Sequence, residues 1–155
     1  TGDLTVDDGR KLATPVRVGT VLAHARLPDH FVGFGSEGTA PAPVTTRFYA
    51  VDAASATASA LVPQGWTTGR VVRASSFDRT GQRLHLLDDT GVLYVLQRQG
   101  GSWTTAARVT GVIPAMPAAA PWPALAANGA RVELYLTDPV ARQLVVINAA
   151  TGAVV

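Results

Sequence analysis

The chain has 155 residues, 47% hydrophobic and only 15% charged, which is enough apolar material for a buried core and too little charge for a disordered segment. Twelve Arg and one Lys against eleven acidic residues leave a net charge of +2 without any basic cluster, which argues against a nucleic-acid partner. The absence of cysteine removes disulfides, thiolate metal ligands and cysteine nucleophiles, and no apolar run reaches the roughly 18 to 20 residues of a membrane-spanning helix.

Taken in chain order, the pattern is one of short strands. The opening Thr1-Gly2-Asp3 has neither an initiator Met nor a signal-type apolar stretch, as expected of a mature or excised piece. Strands are expected over 4–7 and 11–18, then 21–26, 30–35, 46–52 and 57–62. A further set follows at 70–75, 83–88, 92–97 and 102–109. The last set has an inner strand at 112–116 or 122–127, then 131–137 and 143–148, with a final strand beginning at 152–155. Period-2 alternation is clearest at Arg83-Leu84-His85-Leu86 and Gln143-Leu144-Val145-Val146-Ile147. An Ala-rich tract near 115–127 is interrupted by Pro117, Pro121 and Pro123 and cannot continue as a helix. The expected class is all-β.

The strands repeat. An apolar stretch closes on a polar residue and a small-residue turn at Asp7, Asp52, Gln97 and Asn148, in steps of 45, 45 and 51. A second landmark, a turn Gly followed by an alternating strand that closes on Asp, recurs from Gly81 to Asp88 and from Gly129 to Asp138. A β-rich repeat near 45 residues is the spacing of β-propeller blades. The expectation is therefore a β-propeller fragment of about three and a half four-stranded blades, a single domain over 1–155 with pieces at roughly 1–19, 20–64, 65–111 and 112–155. Because propellers close with at least four blades, the first partner implied is the remaining blades of the same propeller. A small β-sandwich is the alternative.

Histidine is the residue type best suited to metal ligation in a chain without cysteine. His24 lies on the innermost strand of its repeat, which in a propeller lines the central channel. His30 follows beside Asp29 at a turn. His85 lies mid-strand and points away from Leu84 and Leu86, towards the face expected to be less apolar. No His-x-His spacing links them, so each also reads as an ordinary hydrogen-bonded histidine. Asp88-Asp89 and Asp138-Pro139 read as turn formers. Ser75 and Ser76 lack a nucleophile-elbow setting, and Gly33–Gly38 lacks the Lys-Ser/Thr ending of a phosphate loop. Trp66, Trp103 and Trp122 lie in or beside connections, either as packing between blades or as ligand contacts.

The stretch Leu22-Ala23-His24-Ala25-Arg26, with Asp29-His30-Phe31-Val32-Gly33-Phe34-Gly35-Ser36-Glu37-Gly38, resembles the periplasmic zinc metallochaperones that partner zinc-uptake ABC transporters. Tyr135-Leu136-Thr137-Asp138-Pro139 is similar to the last blades of that family. The resemblance implies a periplasmic or secreted β-propeller with zinc as its metal and His24 as a zinc ligand, joined by His30 or Asp29. It further implies delivery of that metal to a solute-binding protein of an ABC transporter. Ala25-Arg26 replaces the family's Gly-Glu pair, Ser36 replaces a Cys, and the family's His/Asp-rich tail has no counterpart. Beside this reading stand a non-catalytic propeller that binds protein or carbohydrate, and an enzyme of quinoprotein or lactonase type, which needs several acids or histidines converging on the channel.

Overall fold

In the computed structural model, residues 20–23, 30–37, 45–52, 54–78, 82–99 and 102–155 are described. Among them there is no helix, and the strands form three antiparallel sheets. The chain divides into two compact units, Thr1–Val62 and Pro63–Val155. The first holds a four-stranded meander, β1 (Thr20–Ala23), β2 (His30–Glu37), β3 (Thr45–Asp52) and β4 (Thr57–Leu61). The expected strands at 4–7 and 11–18 lie outside the described residues.

The second unit contains two sheets. A middle sheet orders β5 (Val72–Asp78), β6 (Arg83–Asp88), β7 (Leu93–Gln99) and β8 (Ser102–Val109) as a sequential meander. A C-terminal sheet orders β9 (Leu125–Asn128), β10 (Glu133–Asp138) and β11 (Gln143–Asn148), and Val154 bridges Ile147 beside it. Residues 112–116 do not form a strand. Val112, Ile113 and Met116 instead serve as apolar plugs, strapped down by Val112 N–H on Gly91 O and Met116 N–H on Asp89 O.

Turns follow from local chemistry. Asp52 Oδ1 accepts the N–H groups of Ala54 and Ser55, and Asn148 Oδ1 accepts those of Ala150 and Thr151, so these two repeat landmarks are Asx-type turn formers. Asp88 Oδ1 gathers the N–H groups of Thr90 and Val92 and the Thr90 hydroxyl, and Asp138 Oδ1 accepts the N–H groups of Val140 and Ala141. Gly91 completes the β6–β7 turn at φ +77°, where an added Cβ would lie 2.0 Å from Ile113 O, so no other residue fits.

The middle and C-terminal sheets share one register. In the middle sheet Leu84 faces Leu96, His85 faces Val95, Leu86 faces Tyr94 and Leu87 faces Leu93. In the C-terminal sheet Leu134 faces Ile147, Tyr135 faces Val146, Leu136 faces Val145 and Thr137 faces Leu144. Gln82 and Val132, each just before the second strand of its sheet, both adopt the left-handed conformation. The two sheets are thus copies of one unit, one repeat apart.

Packing uses opposite faces of the copies. Leu87 and Leu93 of the middle sheet pack with Leu134, Leu136, Val145 and Ile147 of the C-terminal sheet, together with Ala74, Ile113 and Met116. Each such aliphatic side chain contributes roughly 1.5 to 3 kcal/mol on burial. The other face of the middle sheet carries Leu84, Leu86, Tyr94 and Leu96, and aromatic pairs add to it. Trp66 packs on Tyr94 at 4.6 Å between ring centroids, and Phe77 meets Trp103 edge-on at 6.2 Å. Gln64 pairs with β8 through Trp103 O and Thr105 N–H, covering that sheet edge.

Two substitutions test this packing by denaturant unfolding followed by Trp fluorescence. Leu136→Ala is expected to cost about 3 kcal/mol, within the usual range for a fully buried Leu, while Val140→Ala on the exposed turn changes stability by less than about 0.5 kcal/mol. Val132 is a β-branched residue at φ +56°, so Val132→Asn is expected to stabilise by roughly 0.5 to 1 kcal/mol, since Asn tolerates this conformation.

Candidate contact site at the β5 and β9 edge

β5 and β9 are the first strands of their sheets and lie against each other, with Ala127 N–H donating to Ser76 Oγ at 2.9 Å. Near this junction β5 carries a bulge. The pairing with β6 shifts between Val72, opposite Asp88, and Ala74, opposite Leu87, which leaves Arg73 as the extra residue. A bulge re-aims its side chain, and here it sends a long cation under the proline-rich connection.

Arg73 is 7% exposed, and its Nη2 donates to Pro117 O at 3.2 Å and Ala120 O at 3.1 Å. Its guanidinium carbon lies 4.7 Å from the centre of the Trp122 ring, a cation–π contact. Trp122 is itself 61% exposed. With one face on the guanidinium, the indole leaves most of its surface, including its opposite face, in solvent. Pro121 and Pro123 flank it with fixed φ. The connection is clamped at its far end by Ala124 N–H on Thr137 Oγ1 at 2.8 Å and Thr137 N–H on Ala124 O at 2.9 Å. The platform is therefore preorganised, which lowers the entropy lost on binding.

The three tryptophans separate cleanly. Trp66 and Trp103 are buried packing residues, and Trp122 alone among them is exposed. The sequence signal that distinguishes it is its place between two prolines in a tract without alternation. Arg73 was not a sequence candidate, because a bulge leaves no mark in the residue pattern.

The expected metal residues are placed as follows. His24 and Asp29 lie outside the described residues. His30 begins β2 directly opposite Asp52 in register. Among the described residues no group of three His, Cys, Asp or Glu converges, so those present do not make up a zinc shell.

His85 corrects an expectation. Its face is not the less apolar one, and the residue is fully buried in the interface between the two sheets. Its Nε2 lies 2.8 Å from Ala149 O, in the turn that follows β11, so Nε2 carries a hydrogen and donates it to this carbonyl. Nδ1 is buried near the Ser76 backbone but without a well-formed hydrogen bond. Burial holds the His85 pKa below 6.5, opposed by the Ala149 hydrogen bond and by the negative charge of Asp78, which pairs with Arg83 at 3.6 Å. A ring so enclosed is placed for packing, not for proton exchange with a ligand. Asp88 is fully buried, with Oδ2 3.3 Å from the Tyr94 hydroxyl, and belongs to its turn.

No protein-family model matches the chain, and no curated protein matches it.

A depressed histidine pKa gives a definite pH dependence. The neutral ring is favoured by the fold, so this stability is complete above pH 6.5 and is lost as pH falls from there through the lower folded value. The urea midpoint is expected to drop between about pH 8 and about pH 5.5, and less so in His85→Gln, which keeps a donor for Ala149 O. An equal drop in both proteins would remove His85 as the cause.

Proposed function

We propose that the chain is part of an extracytoplasmic β-propeller that binds a ligand rather than transforming one, with Trp122 as a contact residue. The stacked sheets of common register support the propeller reading, since a blade is one such meander packed face to face on the next. A non-catalytic role is supported by the engagement of the titratable groups. His85 is sealed in the sheet interface, and Asp88 and Asp138 hold turns.

The single observation that carries the ligand reading is the exposed indole braced on a buried guanidinium. A rigid aromatic face flanked by Pro121 and Pro123 suits the flat face of a neutral sugar ring. On a glycan array the wild type is expected to bind a defined set of oligosaccharides. Trp122→Ala loses that binding while circular dichroism shows the fold kept, with a melting temperature lower by no more than a few degrees for the lost contact with Arg73. Absence of any glycan bound by the wild type would overturn the carbohydrate reading and leave a protein ligand on the same face.

Zinc delivery to the solute-binding protein of an ABC transporter is the second reading. It is supported by the His24 motif in the sequence. In this role zinc is cargo, taken by neutral imidazole and released by ligand exchange. Calorimetric titration of the full chain with zinc is expected to give a saturable heat that His24→Ala removes; a wild type without zinc-dependent heat would dispose of this reading.

A further inference from the structure

The two sheets of the second unit are copies in register, and this equivalence assigns a role to a face that is otherwise unexplained. His85, Leu87, Leu93 and Val95 of the middle sheet are fully buried, on the face that packs against the C-terminal sheet. Their register equivalents in the C-terminal sheet are Tyr135, Thr137, Leu144 and Val146. That second face is open. Leu144 is 60% exposed, Thr137 is exposed, and Tyr135 and Val146 are only partly covered. Val155, 82% exposed, extends the apolar edge through its N–H on Val146 O.

We infer that the Tyr135, Thr137, Leu144 and Val146 face is the docking surface for a further antiparallel sheet of the same repeat. The inference rests on the propeller reading above. The operation that carries the middle sheet onto the C-terminal sheet carries the C-terminal sheet onto a position over this face. The incoming sheet therefore presents the aliphatic set equivalent to Leu134, Leu136, Val145 and Ile147. The contact continues an interface already present, and its chemistry is the same, aliphatic around one polar-tipped ring. Tyr135 stands at the His85 position and keeps its hydroxyl on the Glu133 carboxylate. The occupant is a further sheet rather than a second copy of this chain, because the contact continues an interface formed within one chain, and the complementary faces of both sheets of this unit are covered. Leu134, Leu136 and Ile147 are fully buried in this unit, and Leu84, Leu86, Tyr94 and Leu96 lie under the Trp66 side.

These 155 residues contain no cysteine, and any that the gene encodes outside them is replaced by Ser, so a single introduced thiol reports its own site. Leu144→Cys and Thr137→Cys, placed opposite each other in register, are compared with Val140→Cys, whose native side chain is 55% exposed. The labelling rate with a maleimide is measured on the full chain as its gene encodes it, with circular dichroism confirming the fold. The inference expects the thiols introduced at positions 144 and 137 to react slower than the one at position 140 by an order of magnitude or more, at every protein concentration. Equal rates at 144 and 140 would overturn it. Protection that grows with protein concentration would overturn it too, by showing that a second copy covers the face. Glycan binding by Trp122 is read by a separate signal, so failure of either result leaves the other intact.

Discussion

One side-chain hydrogen bond, from the His85 ring to the carbonyl of Ala149, crosses the middle of an interface that is chiefly aliphatic. The middle sheet is buried on both faces at β6 and β7, so each of their side chains has to be matched by a neighbour. A polar ring at such a place is costly unless it finds a partner, and the partner is a backbone carbonyl in the turn after β11. Together with the Ala127 N–H bond to Ser76 Oγ, this bond ties one sheet to the other at two points.

The same packing explains why an exposed tryptophan is held rigidly. The connection between β8 and β9 is too rich in proline to make regular structure, and its carbonyls need donors. Arg73 supplies them to two carbonyls from the bulge in β5, and the ring of Trp122 lies over the guanidinium. Burying that much of an arginine costs stability unless its donors are used. Here Nη2 is used while Nε is left without a partner, a cost that the structure offsets elsewhere. An irregular loop thus acquires a defined geometry from one residue of a neighbouring strand.

Much of the fold was legible because strand alternation and turn chemistry act locally. The spans around Phe48, Leu86, Val95 and Ile147 stand within a few residues of where their patterns place them, and Asp52 and Asn148 mark turns because their side chains hydrogen-bond the backbone beside them. What was not legible depends on distant contacts. His85 alternates with Leu84 and Leu86 as an outward residue would, yet a second sheet covers that side. The run from Val112 to Met116 has the composition of a strand, but its hydrogen bonds go to Gly91 and Asp89 rather than to a ladder. Arg73 is displaced by a bulge whose existence is settled by pairing, not by sequence. Of the candidate metal residues, His30 has a legible place on a strand, whereas convergence of ligands is a property of the assembled chain.

The sheet order has a kinetic meaning. Each sheet is a meander in which every strand pairs with its neighbours in sequence, so hairpin closures span only short stretches of chain. Assembly can proceed hairpin by hairpin as the polypeptide emerges from the ribosome, with little search at each stage. The long-range step is the docking of finished sheets, which draws Ala149 to His85 across 64 residues of chain. Until that step is complete, a nascent sheet shows an aliphatic face to solvent, and this is the interval in which the chain is most open to aggregation and to chaperone capture.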